Sequence, residues 1–261
     1  MEIAVVETEQ ELGAVAAGRI AQLVGGRPDP VLGVATGSSP LGTYAALARL
    51  QQRGELDLSA ATAFALDEYL GMGSEDPRSY AATIERTVTR PLGLDPARVH
   101  VLDGSTDDPQ GECARFEEQI RESGGVDVQL LGIGANGHIG FNEPGSPLDS
   151  RTRVQQLSQA TRQANSRFFD DAAQVPSHCL TQGLGTIMAA RHLVLVAQGE
   201  QKATAVAAAL EGPVGPDCPA SVLQRHPSVL VVLDRAAASH LRGTAGAPPA
   251  LDRTRHLAPQ S

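Results

Sequence analysis

The chain has no tryptophan, and aromatic residues make up only 3% of its 261 positions. Val, Leu, Ile and Ala must therefore fill the interior, and a hydrophobic content of 41% is ample for a sizeable core. Lysine is nearly missing as well. Of 21 basic residues, all but Lys202 are Arg. A compact ammonium kept against that bias points to a contact that a planar guanidinium does not serve, and phosphate is a common one. The bland alternative is a stray helix-surface lysine. Cysteine is sparse: Cys113, Cys179 and Cys218 are widely spaced, with no CxxC pair. That argues against a disulfide framework or a zinc site and for reduced thiols. No apolar run approaches the roughly 20 residues of a membrane helix. The opening MEIAVVETEQ is acidic and has no signal-peptide core. A cytoplasmic protein with no membrane contact is expected. A formal charge of -9 argues against broad binding to nucleic acid.

What is present is an alternation. Apolar, β-rich runs lie at 3–6, 31–36, 62–66, 98–102, 126–133, 192–197 and 228–233. Helical patterns lie at 9–24, 41–53, 79–89, 109–122, 201–211 and 220–225. This order predicts an α/β fold: a single domain over 1–241 with a mainly parallel, doubly wound sheet flanked by helices. Residues 141–188 break the rhythm with polar, Arg-rich sequence and a helix near 162–170. They are too long for a simple connection and are expected to form a lid inserted near the active site. Residues 242–261, with GTAGAPP and scattered charges, are expected to be a flexible tail.

The richest chemistry lies in LGIGANGHIGFNEPG, residues 131–145. It puts Asn136, His138 and Glu143 on glycine-rich backbone directly after a strand. Ligands collect at the carboxyl ends of such strands. An imidazole with a carboxylate nearby can move protons, whereas Asn136 can only orient or hydrogen-bond. The third strand runs into Asp67 and Glu68, of which at most one faces a given pocket. Asp67 is a candidate general base; otherwise it caps a turn. The second strand runs into Thr36, Gly37, Ser38, Ser39 and Pro40, followed by a helix. Backbone N–H groups, a helix dipole and three hydroxyls make an anion site there, unless a serine simply caps the helix. It is neither a Walker loop nor a dinucleotide fingerprint, so no nucleotide is implied. Arg167 and Lys202 are the cations that would complete a phosphate clamp. The alternative for Arg167 is a surface ion pair with Asp170 or Asp171.

These segments resemble the glucosamine-6-phosphate deaminase family. The matching pieces, in family order, are LGVATGSSPLGTY, ALDEYLGM, LGIGANGHIGFNEPG, SRTRV, TRQANSRFFD, QVPSHCLTQGLGTI and GEQKA. The resemblance implies conversion of glucosamine 6-phosphate and water to fructose 6-phosphate and ammonia, in amino sugar catabolism, with no metal or organic cofactor. It implies that His138 assists ring opening, Glu143 pairs with it, and Asp67 moves the C2 proton to C1. Thr36, Gly37, Ser38, Ser39, Arg167 and Lys202 would bind the substrate phosphate. Some relatives carry Asp at the position of Asn136. Relatives activated by N-acetylglucosamine 6-phosphate have Lys and Thr where Gln155 and Gln156 stand here, so weak or absent activation is expected. The family includes monomers and hexamers, which leaves a homo-oligomer open. Two other readings stay open at this point: a 6-phosphogluconolactonase-like hydrolase or isomerase of the same fold, and a non-catalytic phosphosugar sensor. The presence of Asp67, His138 and Glu143 together disfavours the sensor.

Overall fold

The computed structural model describes residues 1–242, so the expected tail lies outside the described residues except for Arg242. In chain order the elements are β1 (Glu2–Val6), α1 (Glu9–Val24), β2 (Val31–Val34), α2 (Leu41–Gln52), β3 (Thr62–Ala65), β4 (Asp67–Tyr69), α3 (Tyr80–Ile84) and β5 (Val99–His100). They continue with α4 (Pro109–Glu122), β6 (Val128–Leu131), β7 (Arg153–Gln156), α5 (Gln159–Asn165), β8 (His178–Thr181), α6 (Leu184–Met188), β9 (His192–Ala197), α7 (Ala203–Glu211) and β10 (Val229–Asp234).

A parallel sheet of 7 strands runs in the order β1-β10-β9-β6-β2-β3-β5. Each of its strands overlaps one of the apolar runs read from the sequence. The runs are continuous because both faces are covered. In β9, Leu193, Leu195 and Ala197 join one core with Phe116 and Ile120 of α4 and Val206 of α7. Val194 and Val196 point the other way, into a core with Leu12 and Ile20 of α1 and Leu47 of α2. Side chains alternate faces along a strand, so one short segment anchors both layers. Burying these five apolar residues is favourable by on the order of 10 kcal/mol. The loop that follows β9 therefore hangs from a rigid base. α1 starts sharply because Thr8 and Glu11 form a capping box: Glu11 N–H donates to Thr8 Oγ1 at 3.1 Å, and Thr8 N–H donates to Glu11 Oε2 at 3.2 Å.

A second sheet, antiparallel and of 3 strands in the order β4-β8-β7, was not legible in the sequence. The stretch expected as a lid supplies two of its strands. Strand β7 reads RVQQ and is only partly buried, so it carries little apolar signal. The chain crosses from one sheet to the other within a residue. Leu66 N–H still donates to Val34 carbonyl oxygen at 3.1 Å, and Asp67 already opens β4. Gln182 clasps this seam: its N–H donates to Leu66 O at 2.8 Å and its side-chain amide donates to Ala65 O at 2.9 Å.

Smaller departures concern helix type. The segment read as helix over 79–89 is α3 followed by a π-turn, Glu85–Thr89. The helix read at 220–225 is a 3-10 helix, Pro219–Arg225. The helix read near 162–170 is α5 followed by a 3-10 turn, Ser166–Phe168. A third core, between the small sheet and α5, gathers Tyr69, Tyr80, Phe141 and Phe169. Two of the three tyrosines and two of the five phenylalanines are thus spent in one place.

Candidate active site

The sheet changes direction between β2 and β6. From β2 the chain winds to β3 and β5; from β6 it winds the opposite way, to β9 and β10. The crevice outside the carboxyl ends at such a switch point is where open α/β sheets bind ligands. The four neighbours β9, β6, β2 and β3 are mutually parallel, so their carboxyl ends share one edge. That edge is about 15 Å wide, three strand spacings. Every sequence-predicted group except Arg167 follows one of these strands. Thr36, Gly37, Ser38 and Ser39 follow β2, Asp67 follows β3, Asn136, His138 and Glu143 follow β6, and Lys202 follows β9.

At one end sit the titratable groups. Asp67 is buried, 6% exposed, and among the described residues its carboxyl has no hydrogen-bond partner. Burial, with the neighbouring Glu68 carboxylate, pushes it up to about 8. Glu68 points away and has a different task. It accepts from the N–H groups of Tyr69 at 2.8 Å, Tyr80 at 3.0 Å and Ala81 at 2.8 Å, so it ties the start of α3 to β4. The two adjacent carboxylates are thus divided between site and scaffold.

The loop after β6 meets Asp67 through Gly140. Its φ of 55° is left-handed, and a Cβ there would stand 3.1 Å from Thr181 Oγ1 and 3.6 Å from Asp67 Oδ2. His138 lies over Gly134, where a methyl group would overlap the imidazole ring. Its Nδ1 is buried without a hydrogen-bond partner, 3.9 Å from Glu143 Oε2. Burial lowers the His138 imidazole to about 4; Glu143 opposes that shift and the Lys202 ammonium adds to it. His138 is therefore neutral at pH 7 and able to take a proton. Burial raises Glu143, but hydrogen bonds from Thr161, the Ser158 N–H and Asn136 outweigh it, and its net shift is downward. Asn136 Nδ2 donates to Glu143 Oε2 at 2.8 Å, and Ser158 N–H donates to Oε1 at 3.1 Å. Glu143 thus stays ionised beside a neutral imidazole.

At the other end sit the donors. Helix α2 begins after Pro40, and no side chain caps it. The alternative of a capping serine does not hold, and the hydroxyls of Ser38 and Ser39 remain uncommitted among the described residues. Tyr44 fixes the strand end beneath them: its hydroxyl accepts from Ala35 N–H at 2.9 Å and donates to Ala35 O at 2.8 Å. Burial lowers the Lys202 ammonium, and the Arg167 guanidinium lowers it further, which places the two cations within each other's field. Neither makes an ion pair among the described residues, so the expected alternative pairing of Arg167 with Asp170 or Asp171 is absent. Arg167 rests over the Phe168 ring at 4.7 Å. Two neighbouring cations without ion-pair partners, and separately an uncapped helix N-terminus after β2, are groups of the kind that bind anions. No cluster suited to a metal ion occurs among the described residues.

Several lining groups escaped the sequence reading. Tyr69, Tyr80 and Asn165 form a hydroxyl and amide chain beside Asp67, and Thr161 reaches Glu143 from α5. The usable signal was the aromatic scarcity itself, with Tyr69 two residues after Asp67 on the same strand.

The edge of the α/β sheet thus carries, on its loops, a buried carboxyl, a buried imidazole beside a carboxylate, and a lysine without an ion-pair partner. A family model described as glucosamine-6-phosphate isomerases/6-phosphogluconolactonase matches residues 6–232. The chain belongs to that family. It is 59% identical over 241 residues, 92% of each chain, to the glucosamine-6-phosphate deaminase of Cutibacterium acnes (strain DSM 16379 / KPA171202). A solved structure of a monomeric glucosamine-6-phosphate deaminase matches with TM-score 0.89 and 43% identity, covering 92% of this chain and 100% of that one. A 6-phosphogluconolactonase from Leishmania guyanensis matches with TM-score 0.70 and 21% identity, covering 90% and 97%, a likeness of fold alone. No helix among the described residues is long and apolar enough to cross a membrane.

Proposed function

We propose that this chain converts glucosamine 6-phosphate and water to fructose 6-phosphate and ammonia. What supports the reading is that Asp67, His138, Glu143 and Lys202 leave one sheet edge, with the Lys202 ammonium in the field of His138 and of Arg167. Lys202, Arg167, the hydroxyls of Thr36, Ser38 and Ser39 and the Gly37 backbone hold the phosphate. The anchored sugar then presents its C1–C2 end to the acid–base groups, which is catalysis by positioning.

Neutral His138 relays the proton that opens the ring, and ionised Glu143 stabilises the imidazolium that forms. Asp67 removes the C2 proton of the open aldehyde; the C2–H electron pair forms the C1–C2 double bond, the C1=O π pair moves onto O1, and O1 takes up a proton as the C2 ammonium gives one up, leaving a neutral enolamine. The same carboxyl returns the proton to C1, leaving an iminium at C2. Water adds at C2, the C–N bond breaks, and ammonia leaves as the ketone forms. A carboxyl raised to about 8 is mostly protonated at neutral pH in the free protein. A cationic amine on C2 lowers it again, so the base ionises when substrate arrives.

The test is an ammonia-release assay with glucosamine 6-phosphate, run beside 6-phosphogluconolactone and unphosphorylated glucosamine. Ammonia from the first alone supports the reading. Lactone hydrolysis without ammonia release identifies a lactonase and overturns it.

A further inference from the structure

Helix α5 is tied at its start to Glu143 and at its end to Tyr69. At its start, Ser158 N–H donates to Glu143 Oε1 at 3.1 Å, and Thr161 also reaches that carboxylate. At its end, Asn165 Nδ2 donates to Tyr69 Oη at 2.8 Å. Tyr69 is 1% exposed and stands two residues beyond Asp67 on β4, so both side chains project from the same face of that strand. Its hydroxyl also accepts from Tyr80 Oη at 3.3 Å, and Tyr80 in turn lies against the Thr36 side chain. The phenol of Tyr69 is thus a junction between the Asp67 strand, the turn after β2 and the end of α5.

Arg167 follows Asn165 by two residues in the 3-10 turn that ends α5. Its guanidinium is exposed, rests over Phe168 and makes no hydrogen bond or ion pair among the described residues. Nothing in its own contacts sets where it points relative to the sheet. That position is inherited from the backbone, which is tied to β4 two residues to either side of Arg167, by the Asn165 hydrogen bond and by the Phe169 ring packed on Tyr69 at 5.8 Å, both converging on Tyr69.

We propose that the Asn165–Tyr69 hydrogen bond is a positioning latch that fixes the Arg167 guanidinium at a set distance from Asp67, matching the phosphate-to-C2 reach of the substrate. Asn165 and Tyr69 are positioning residues that act through Arg167. The inference rests on the reading of Arg167 as a phosphate ligand, and the experiment separates the two.

The experiment is a double-mutant cycle on the full chain, with Asn165→Ala, Arg167→Ala and the pair, each assayed for ammonia release. Loss of one neutral hydrogen bond corresponds to about a five-fold effect. Asn165→Ala should raise KM about five-fold, with kcat changed by less than about two-fold. In the Arg167→Ala background the same change should have no further effect on KM, since the group it positions is gone. Tyr69→Phe should reproduce the KM rise, and adding Asn165→Ala to it should change nothing more. Thermal melting of each variant checks that the fold is kept. Equal KM increments of Asn165→Ala with and without Arg167 would overturn the latch, as would an unchanged KM in the single variant. If Arg167→Ala itself leaves KM unaltered, the phosphate assignment of Arg167 fails, and the latch falls with it.

Discussion

Replacing Asp67 by Asn should abolish turnover and, at the same time, remove a pH-dependent penalty on folding. The carboxyl is buried, unpartnered and raised from an ordinary 3.8 to about 8. The folded state therefore holds its proton more tightly than the unfolded chain does. A raised folded pKa gives a contribution that is intact below about 4 and is lost as pH rises towards about 8. At pH 7 the unfolded carboxyl is fully ionised while the folded one is mostly protonated. The difference of about three pH units corresponds to roughly 4 kcal/mol against folding. The amide of the variant has no proton to lose, so that penalty vanishes. The new amide also leaves a donor without a matched acceptor, a cost of about 1–3 kcal/mol that does not depend on pH. The diagnostic is therefore the slope and not the offset. Urea unfolding from pH 4 to 9 should show wild-type stability falling relative to Asp67→Asn by up to about 1.4 kcal/mol per pH unit, levelling off above about 8. Equal pH dependence in the two proteins would refute the argument, because it would mean that Asp67 titrates as an ordinary surface carboxyl. Turnover should drop by at least about 100-fold, the usual contribution of a general base.

Three further outcomes are expected. Lys202→Ala should raise KM by about 10–100-fold, the worth of one charge-assisted bond, with kcat little changed; inorganic phosphate should also stop raising the melting temperature, and an unaltered KM would remove Lys202 from the clamp. Gly134→Ala should lower kcat by at least about 100-fold, because the added methyl group displaces the His138 ring while the backbone there stays ordinary; wild-type kcat in a folded variant would mean the imidazole is not needed where it sits. N-acetylglucosamine 6-phosphate should leave half-saturation unchanged. The Arg153 guanidinium is already engaged, with Nη1 on Asn142 Oδ1 at 2.8 Å and Nη2 on Ser146 Oγ and Gln155 Oε1, each at 2.9 Å. A several-fold shift on titration would show that this network opens to an anion.

The amino-acid order determined the layered fold, because strands buried on both faces are apolar along nearly their whole length, and seven such runs stand out. It also marked the candidate reactive residues: Asp67, His138, Glu143 and Lys202 each follow one of those runs, where a chain leaves the sheet. Tertiary structure alone decided the rest. The small sheet of β4, β8 and β7 exists only as pairing between distant segments, and polar RVQQ has no apolar period to announce it. The division of labour between Asp67 and Glu68 was equally hidden, since it depends on the α3 N–H groups that arrive from residues 80 and 81. Protonation states were the last to be fixed. A carboxyl near 8 and an imidazole near 4 arise first from burial, which depends on how distant segments pack, and no local sequence encodes a dielectric.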